Sequence, residues 1–309
     1  MYRYKSLLVH LDLTGSDESM IQYAQLVASM AGSDRVRFVH TVPPPLAIGE
    51  FYPRLNAGIV ASDRDAAIEL EARIDHHFRA PGGTETSTEL LRGTPLSALL
   101  RTTRADATDL VLISARNRSL ANRLVRKAPC SVMVVPEKAP AIIERVLVPV
   151  DFSRHAADAV EVAAAFAEAA RLDDVHVLHV YDAPRGEEEA KLRQALDARY
   201  VAFAEQVNLH GLDPVPHFVR AREVPEAVHA WTMTLGVDLV VMGTRGRTDS
   251  AAVLAGSATE AMVRTASVPV IAVKRKGSTL GLLDVLLGTE RNDAGFEARA
   301  ALALNGMPL

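Results

Sequence analysis

The residues whose types and spacing suit chemistry lie late in the chain. Gly243-Thr244-Arg245-Gly246 is followed, after nine residues, by Gly256-Ser257. The stretch opens directly behind an apolar run, Asp238-Leu239-Val240-Val241-Met242. Backbone that leaves a strand into glycines can turn with positive φ and bring several N–H groups to bear on one anion. Gly256-Ser257 precedes Ala258-Thr259-Glu260, so Ser-x-x-Glu opens a helix in capping-box style. A helix start carries free N–H donors and partial positive charge, which suits phosphate. The chemistry this implies is a grip on the phosphates of a nucleotide. The same residues admit a plainer reading, with Gly243 and Gly246 as turn glycines and Ser257 as an ordinary helix cap.

The elements that must hold this loop occur twice. Lys5-Ser-Leu-Leu-Val-His-Leu-Asp12 resembles Glu144-Arg-Val-Leu-Val-Pro-Val-Asp151, each an apolar run closing on Asp before a Ser/Thr-containing turn. Val36-Arg-Phe-Val-His40 aligns with Val175-His-Val-Leu-His179 at the same separation as Asp12 from Asp151. Asp109–Ile113 then matches Asp238–Met242, and Val132–Val135 matches Val270–Val273. Strands are predicted near 5–11, 36–42, 86–91, 109–113 and 131–135, and again near 145–150, 175–181, 215–219, 237–242 and 269–273. Most are continuously apolar, as in a parallel sheet covered on both faces. Between them lie helical stretches, such as the periodic Met20, Ile21, Ala24, Val27 and the alanine-rich 156–170.

The fold class expected is therefore α/β, with two tandem open doubly wound parallel sheets of Rossmann-like type, about five strands in each. The expected divisions are a first domain at 1–136, a proline-bounded linker at 137–141, a second domain at 142–276 and a tail at 277–309. The copies differ in two places. The first carries an inserted loop, Pro43–Pro53, and it lacks the glycine loop, for which Ser114-Ala-Arg-Asn-Arg-Ser-Leu-Ala-Asn-Arg-Leu-Val-Arg-Lys127 stands instead.

Composition excludes several classes. The apolar fraction of 49% and charged fraction of 23% are ordinary for a globular protein, and a net charge of −4 gives no reason to expect nucleic acid or an anionic membrane as partner. One cysteine, Cys130, cannot form an internal disulfide, which fits a reducing compartment. No apolar run reaches the ~18 residues of a membrane span, and no leader pattern stands at Met1. A cytoplasmic location is expected.

The Gly-x2-Gly-x9-Gly-Ser pattern behind a fourth strand, with Asp ending a first strand, resembles the universal stress protein family, and the repeat resembles its tandem type. The likeness covers roughly 3–136 and 142–274. The loop is no Walker A motif, because no Lys-Ser/Thr follows the glycines. The resemblance implies ATP, with or without Mg2+, lying across the carboxyl ends of the strands. It places Asp151 near the ribose or adenine and the backbone of Val180 against the adenine edge. Gly243, Gly246, Gly256, Ser257 and Ala258 would surround the phosphates, with Arg245 adding a cation. Only the second copy would bind, because the first keeps Asp12 but none of the glycines. A homodimer and an unidentified protein partner are implied as well. The expected role is an ATP-binding regulatory protein of stress response. The alternatives are a slow ATP hydrolase, for which Asp249 is the one nearby carboxylate, and a scaffold for another ligand.

Other candidates have plain expectations. His40 and His179 read as satisfied strand-end histidines, His76-His77 as solvated surface and Cys130 as a buried thiol. Asp12 reads as a cap for the helix that follows it, while His10, Asp12 and His40 are a weak metal candidate without a metal spacing. Arg116, Arg118, Arg123, Arg126 and Lys127 read as a solvated basic face, with a subunit contact or an anion site as the alternative. The tail segments Leu280–Leu287 and Glu297–Leu304 are expected to cover apolar surface and to add a short helix.

Overall fold

The computed structural model describes residues 4–15, 17–42, 53–182, 187–244 and 257–274, with only the backbone described at 53–61, 187–188 and 257. The chain divides into two compact units, Met1–Ile142 with Val263–Val270 and Ile143–Met262 with Ile271–Leu309.

The first copy runs β1 (Ser6–His10), α1 (Asp17–Ala31), β2 (Arg35–Val42), α2 (Pro53–His77), β3 (Glu85–Arg92), α3 (Pro95–Ala105), β4 (Leu110–Ser114), α4 (Arg118–Lys127) and β5 (Ser131–Val135). A single 3-10 turn, Ala115–Asn117, separates β4 from α4. The second copy repeats the sequence as β6 (Val146–Pro149), α5 (Arg154–Ala170), β7 (Asp174–Tyr181), α6 (Glu187–Ala204), β8 (Asp213–Arg220), α7 (Val224–Leu235), β9 (Leu239–Gly243), α8 (Ser257–Thr265) and β10 (Val270–Val273). All ten predicted strands are present, with shifts of one or two residues at the ends.

The strand order is β3-β2-β1-β4-β5 in one copy and β8-β7-β6-β9-β10 in the other. The pairings from β1 to β5 and from β6 to β8 and β9 are parallel. In each copy the first three strands build outward in one direction and the fourth returns to the other side of the first. The order therefore reverses between β1 and β4, and between β6 and β9. At such a reversal the connecting chains leave to opposite faces, which opens a crevice at the strand carboxyl ends.

The continuous apolar runs have the expected consequence. Strands β1, β4 and β5 are buried along their whole length, because helices cover both faces. The outermost strands read differently. Strand β3 alternates, exposing Glu85, Ser87 and Glu89. Strand β8 carries Pro214 and Pro216, two positions apart, so the missing amides fall on one side, which an outermost strand tolerates. Helix α5 buries Ala156, Ala159, Ala163, Ala164 and Ala167, and these small side chains let it lie close on β9.

Candidate functional site

The crevice of the second copy is built first from the end of β6. The amide of Val150 donates to the Leu178 carbonyl at 2.8 Å, and His179 Nδ1 meets the Val150 carbonyl at 2.8 Å. A carbonyl accepts only, so Nδ1 carries the proton. Asp151 follows, and its Oδ1 accepts the amide of Ser153 at 3.0 Å. Ser153 in turn caps α5, its Oγ accepting from Ala156 N at 3.2 Å. Between them Phe152 sits at φ 62°, a left-handed conformation costing an L-residue roughly 1–2 kcal/mol. The turn aims its ring onto His179, with centroids 4.3 Å apart and planes stacked. Phe203 packs edge-on against Phe152, and the Arg199 guanidinium lies over the same ring at 5.0 Å. Beyond them Tyr200 packs edge-on against Phe218, and burial pushes its hydroxyl up to about 12.

The other wall is the end of β9. The register Leu147↔Val240, continued upward, brings Gly243 beside Val150. A Cβ on Gly243 would lie 2.7 Å from the His155 carbonyl oxygen, so only glycine lets β9 end against the first turn of α5. Thr259, in the first turn of α8, donates its Oγ1 hydroxyl to the Gly243 carbonyl at 2.8 Å. That bond fastens the start of α8 to the end of β9. Asp151, Val180 and Gly243 thus occupy neighbouring strand ends, and Ala258 lies in the first turn of α8. Ser257 opens that helix. Arg245, Gly246, Asp249 and Gly256 lie outside the described residues, as do the tail and the 43–52 part of the inserted loop.

The first copy repeats the frame and alters its contents. Leu11 N donates to Val39 O at 2.9 Å, His40 Nδ1 meets the Leu11 carbonyl at 2.8 Å, and Leu13 takes φ 55° where Phe152 takes 62°. Both strand-end histidines are satisfied, as expected. The carboxylate that orders the turn is Asp17 rather than Asp12. Asp17 Oδ1 accepts the Asp12 amide and Oδ2 the Thr14 amide, both at 3.1 Å, and Arg73 of α2 reaches Oδ2 at 3.1 Å. Arg73 also donates to the Thr14 carbonyl. Burial pushes the Asp17 carboxyl up, opposed by the amides and by Arg73. The equivalent place in α5 holds Ala156. Sequence patterning missed Asp17 because an acid in a first helical turn is commonplace.

At the end of β4 the first copy closes on itself. Ser114 Oγ accepts from Arg116 N at 3.2 Å, and Asn117 Oδ1 accepts from Leu120 N at 3.0 Å. Side chains of the loop itself therefore take up amides that begin the 3-10 turn and α4. Arg116, Arg118, Arg123, Arg126 and Lys127 are exposed, with Arg116 Nε 3.8 Å from Glu137 Oε1.

His10 is almost fully buried. Its Nε2 lies 3.2 Å from Thr41 Oγ1 and its Nδ1 3.6 Å from Asp12 Oδ1. Burial lowers its pKa to about 4, with the Asp12 charge opposing and His40 adding to the shift. Among the described residues no group of three or more His, Cys, Asp or Glu side chains is arranged to hold a metal ion. Cys130 is buried, and His76 is exposed. No described helix is long and apolar enough to cross a membrane.

Comparison with known proteins agrees with this architecture. The family model described as "Universal stress protein family" matches residues 3–136 and 143–274. A universal stress protein of Archaeoglobus fulgidus has a similar structure, at TM-score 0.62 and 18% identity over 89% of this chain and 97% of that one. A putative universal stress protein of Pseudomonas aeruginosa superposes at TM-score 0.59 and 18% identity, over 97% of each chain. A universal stress protein of Methanocaldococcus jannaschii is 44% identical over 43 residues, which is 14% of this chain and 26% of that protein. With one match in each half and the shared fold over nearly its whole length, the chain belongs to the universal stress protein family.

Proposed function

We propose that this protein is an ATP-binding regulator of stress response that holds one nucleotide per chain, in the second copy. The observation that carries the reading is the 2.8 Å bond from Thr259 to the Gly243 carbonyl. It supports a seat in which the first-turn amides of α8 face the crevice where the strand order reverses, beside the start of α5. The phosphates would lie against Gly243, Gly246, Gly256, Ser257 and Ala258, with Arg245 as a nearby cation. Asp151 would meet the ribose or adenine, and the Val180 backbone the adenine edge. The nucleotide would be ATP, with or without Mg2+.

The asymmetry rests on both copies. Where α5 has Ala156, the first copy has the Asp17 carboxylate, a negative group at the helix start that a phosphate would otherwise approach. Ser114 and Asn117 already occupy amides behind β4. The first copy then serves the fold or an interface, including that of a homodimer.

The mechanism is conformational. Nucleotide contacts order the glycine loop, and a protein partner reads the changed surface through differential affinity for the two states. Turnover would need a positioned water near the γ-phosphate. Mass spectrometry of the purified protein tests the proposal, with an adenine nucleotide expected at one per chain. A ligand of another class would refute it.

A further inference from the structure

One polar contact on the sheet of the second copy has no part in the crevice. His176 lies in the middle of β7 and His217 in β8, and the register pairs His176 with Val215 and Leu178 with His217. Residues paired across a parallel ladder share a face, so both imidazoles stand on one face, offset by two positions. The strand-end cluster of His179 and Phe218 occupies the opposite face. His176 Nδ1 and His217 Nε2 are 3.1 Å apart, with ring centroids at 5.2 Å. Trp231 of α7 lies against His217, its ring 4.6 Å from that of the imidazole. Asp174 stands two residues before His176 on the same face, close enough for its charge to act on both rings.

The matching positions in the first copy hold a different pair. There Arg37 pairs with Ser87 and Val39 with Glu89 in the same register, and Arg37 Nη1 meets Glu89 Oε2 at 3.2 Å. An ion pair satisfies the cross-strand contact in one copy, and two imidazoles replace it in the other. Two neutral rings make a single mutual hydrogen bond. What the imidazoles add is a pair of nitrogen ligands on adjacent strands whose spacing the sheet fixes.

We propose that His176 Nδ1 and His217 Nε2 form a two-nitrogen seat for a first-row transition-metal ion, in the order of preference Cu2+ above Ni2+ and Zn2+. Ligands at roughly 2.0–2.1 Å from one ion stand about 2.9 Å apart in a square-planar cis pair and about 3.3 Å apart in a tetrahedron. The observed 3.1 Å is the hydrogen-bonded spacing and lies within about 0.2 Å of both, so binding needs the rings to turn their lone pairs toward the ion rather than the strands to move. In the unbound pair one of the facing nitrogens carries the bridging proton. Binding moves that proton to the distal nitrogen of the same ring, so both rings stay neutral and none is lost to solvent. Arg145 opposes a cation near His176, and Asp174 favours one. With water in the remaining positions, the ion exchanges readily, as in a sensing or buffering site rather than a structural one.

Trp231 is the single tryptophan of the chain, so its emission reports on this place alone. Ni2+ or Cu2+ titrated into the full chain should quench it saturably at one equivalent and reversibly with chelator, and Zn2+ should compete. His176→Gln and His217→Gln should each weaken the apparent affinity at least tenfold with unchanged far-UV circular dichroism, while His76→Gln should not. The proposal is overturned if wild-type emission shows no saturable change up to millimolar Ni2+. It is equally overturned if folded His176→Gln and His217→Gln proteins titrate like the wild type.

Discussion

Gly243 ends β9 against the backbone of His155, and a Cβ in its place would stand 2.7 Å from the His155 carbonyl oxygen. The glycine that opens the candidate phosphate loop is therefore also a packing requirement of the fold. Its neighbour is a helix backbone atom, which cannot swing aside as a side-chain tip would.

Gly243→Ala should lower stability by ~1–3 kcal/mol, the range for forcing a methyl group into a filled site. A urea melt checks this, with the midpoint falling and the slope unchanged. An unchanged midpoint would contradict the contact. It follows that loss of nucleotide in a Gly243 variant is a poor test of the loop, and Gly246 and Gly256 are the positions to alter.

The Asp17–Arg73 pair makes a second prediction. Asp17 is 1% exposed at its side chain and Arg73 26%. Removing the guanidinium leaves a buried carboxylate with two backbone amides and no counter-charge, a change costing about 3–5 kcal/mol when the pair is fully buried. Partial exposure of Arg73 reduces that to roughly 1–3 kcal/mol. Arg73→Met should show this loss in the wild-type background and less than about half of it beside Asp17→Asn. Additive losses in the double-mutant cycle would refute the coupling.

His10 gives the pH dependence. Its pKa falls from 6.5 to about 4 on folding because burial disfavours the charged ring. The unfolded chain therefore takes up the proton first. The stability carried by neutral His10 is complete above pH 6.5 and is lost as pH drops toward 4, up to about 3 kcal/mol. The unfolding free energy should fall more between pH 7 and 4 in the wild type than in His10→Gln. Parallel curves would contradict the assignment.

The duplication, the ten strands and the strand-end histidines were legible because each rests on a local pattern. Continuous apolar runs mark covered parallel strands, and repeated Asp and His landmarks fix the register of one copy on the other. What escaped was set by contacts distant in the chain. Arg73 meets Asp17 from another helix, His176 meets His217 from another strand, and the fit of Gly243 to His155 depends on how closely α5 lies on β9. The left-handed turns at Leu13 and Phe152 also left no trace, since neither residue type signals positive φ. In the sequence Asp12 reads as the helix cap, whereas Asp17 orders that turn through two backbone amides.

Isothermal titration of the full chain with ATP and Mg2+ tests the central claim most directly, run on the wild type beside Gly246→Val and Gly256→Trp. One site per chain is predicted in the wild type and none in either variant, with melting temperatures unchanged. Two sites per chain, or a wild-type isotherm in both variants, would contradict it.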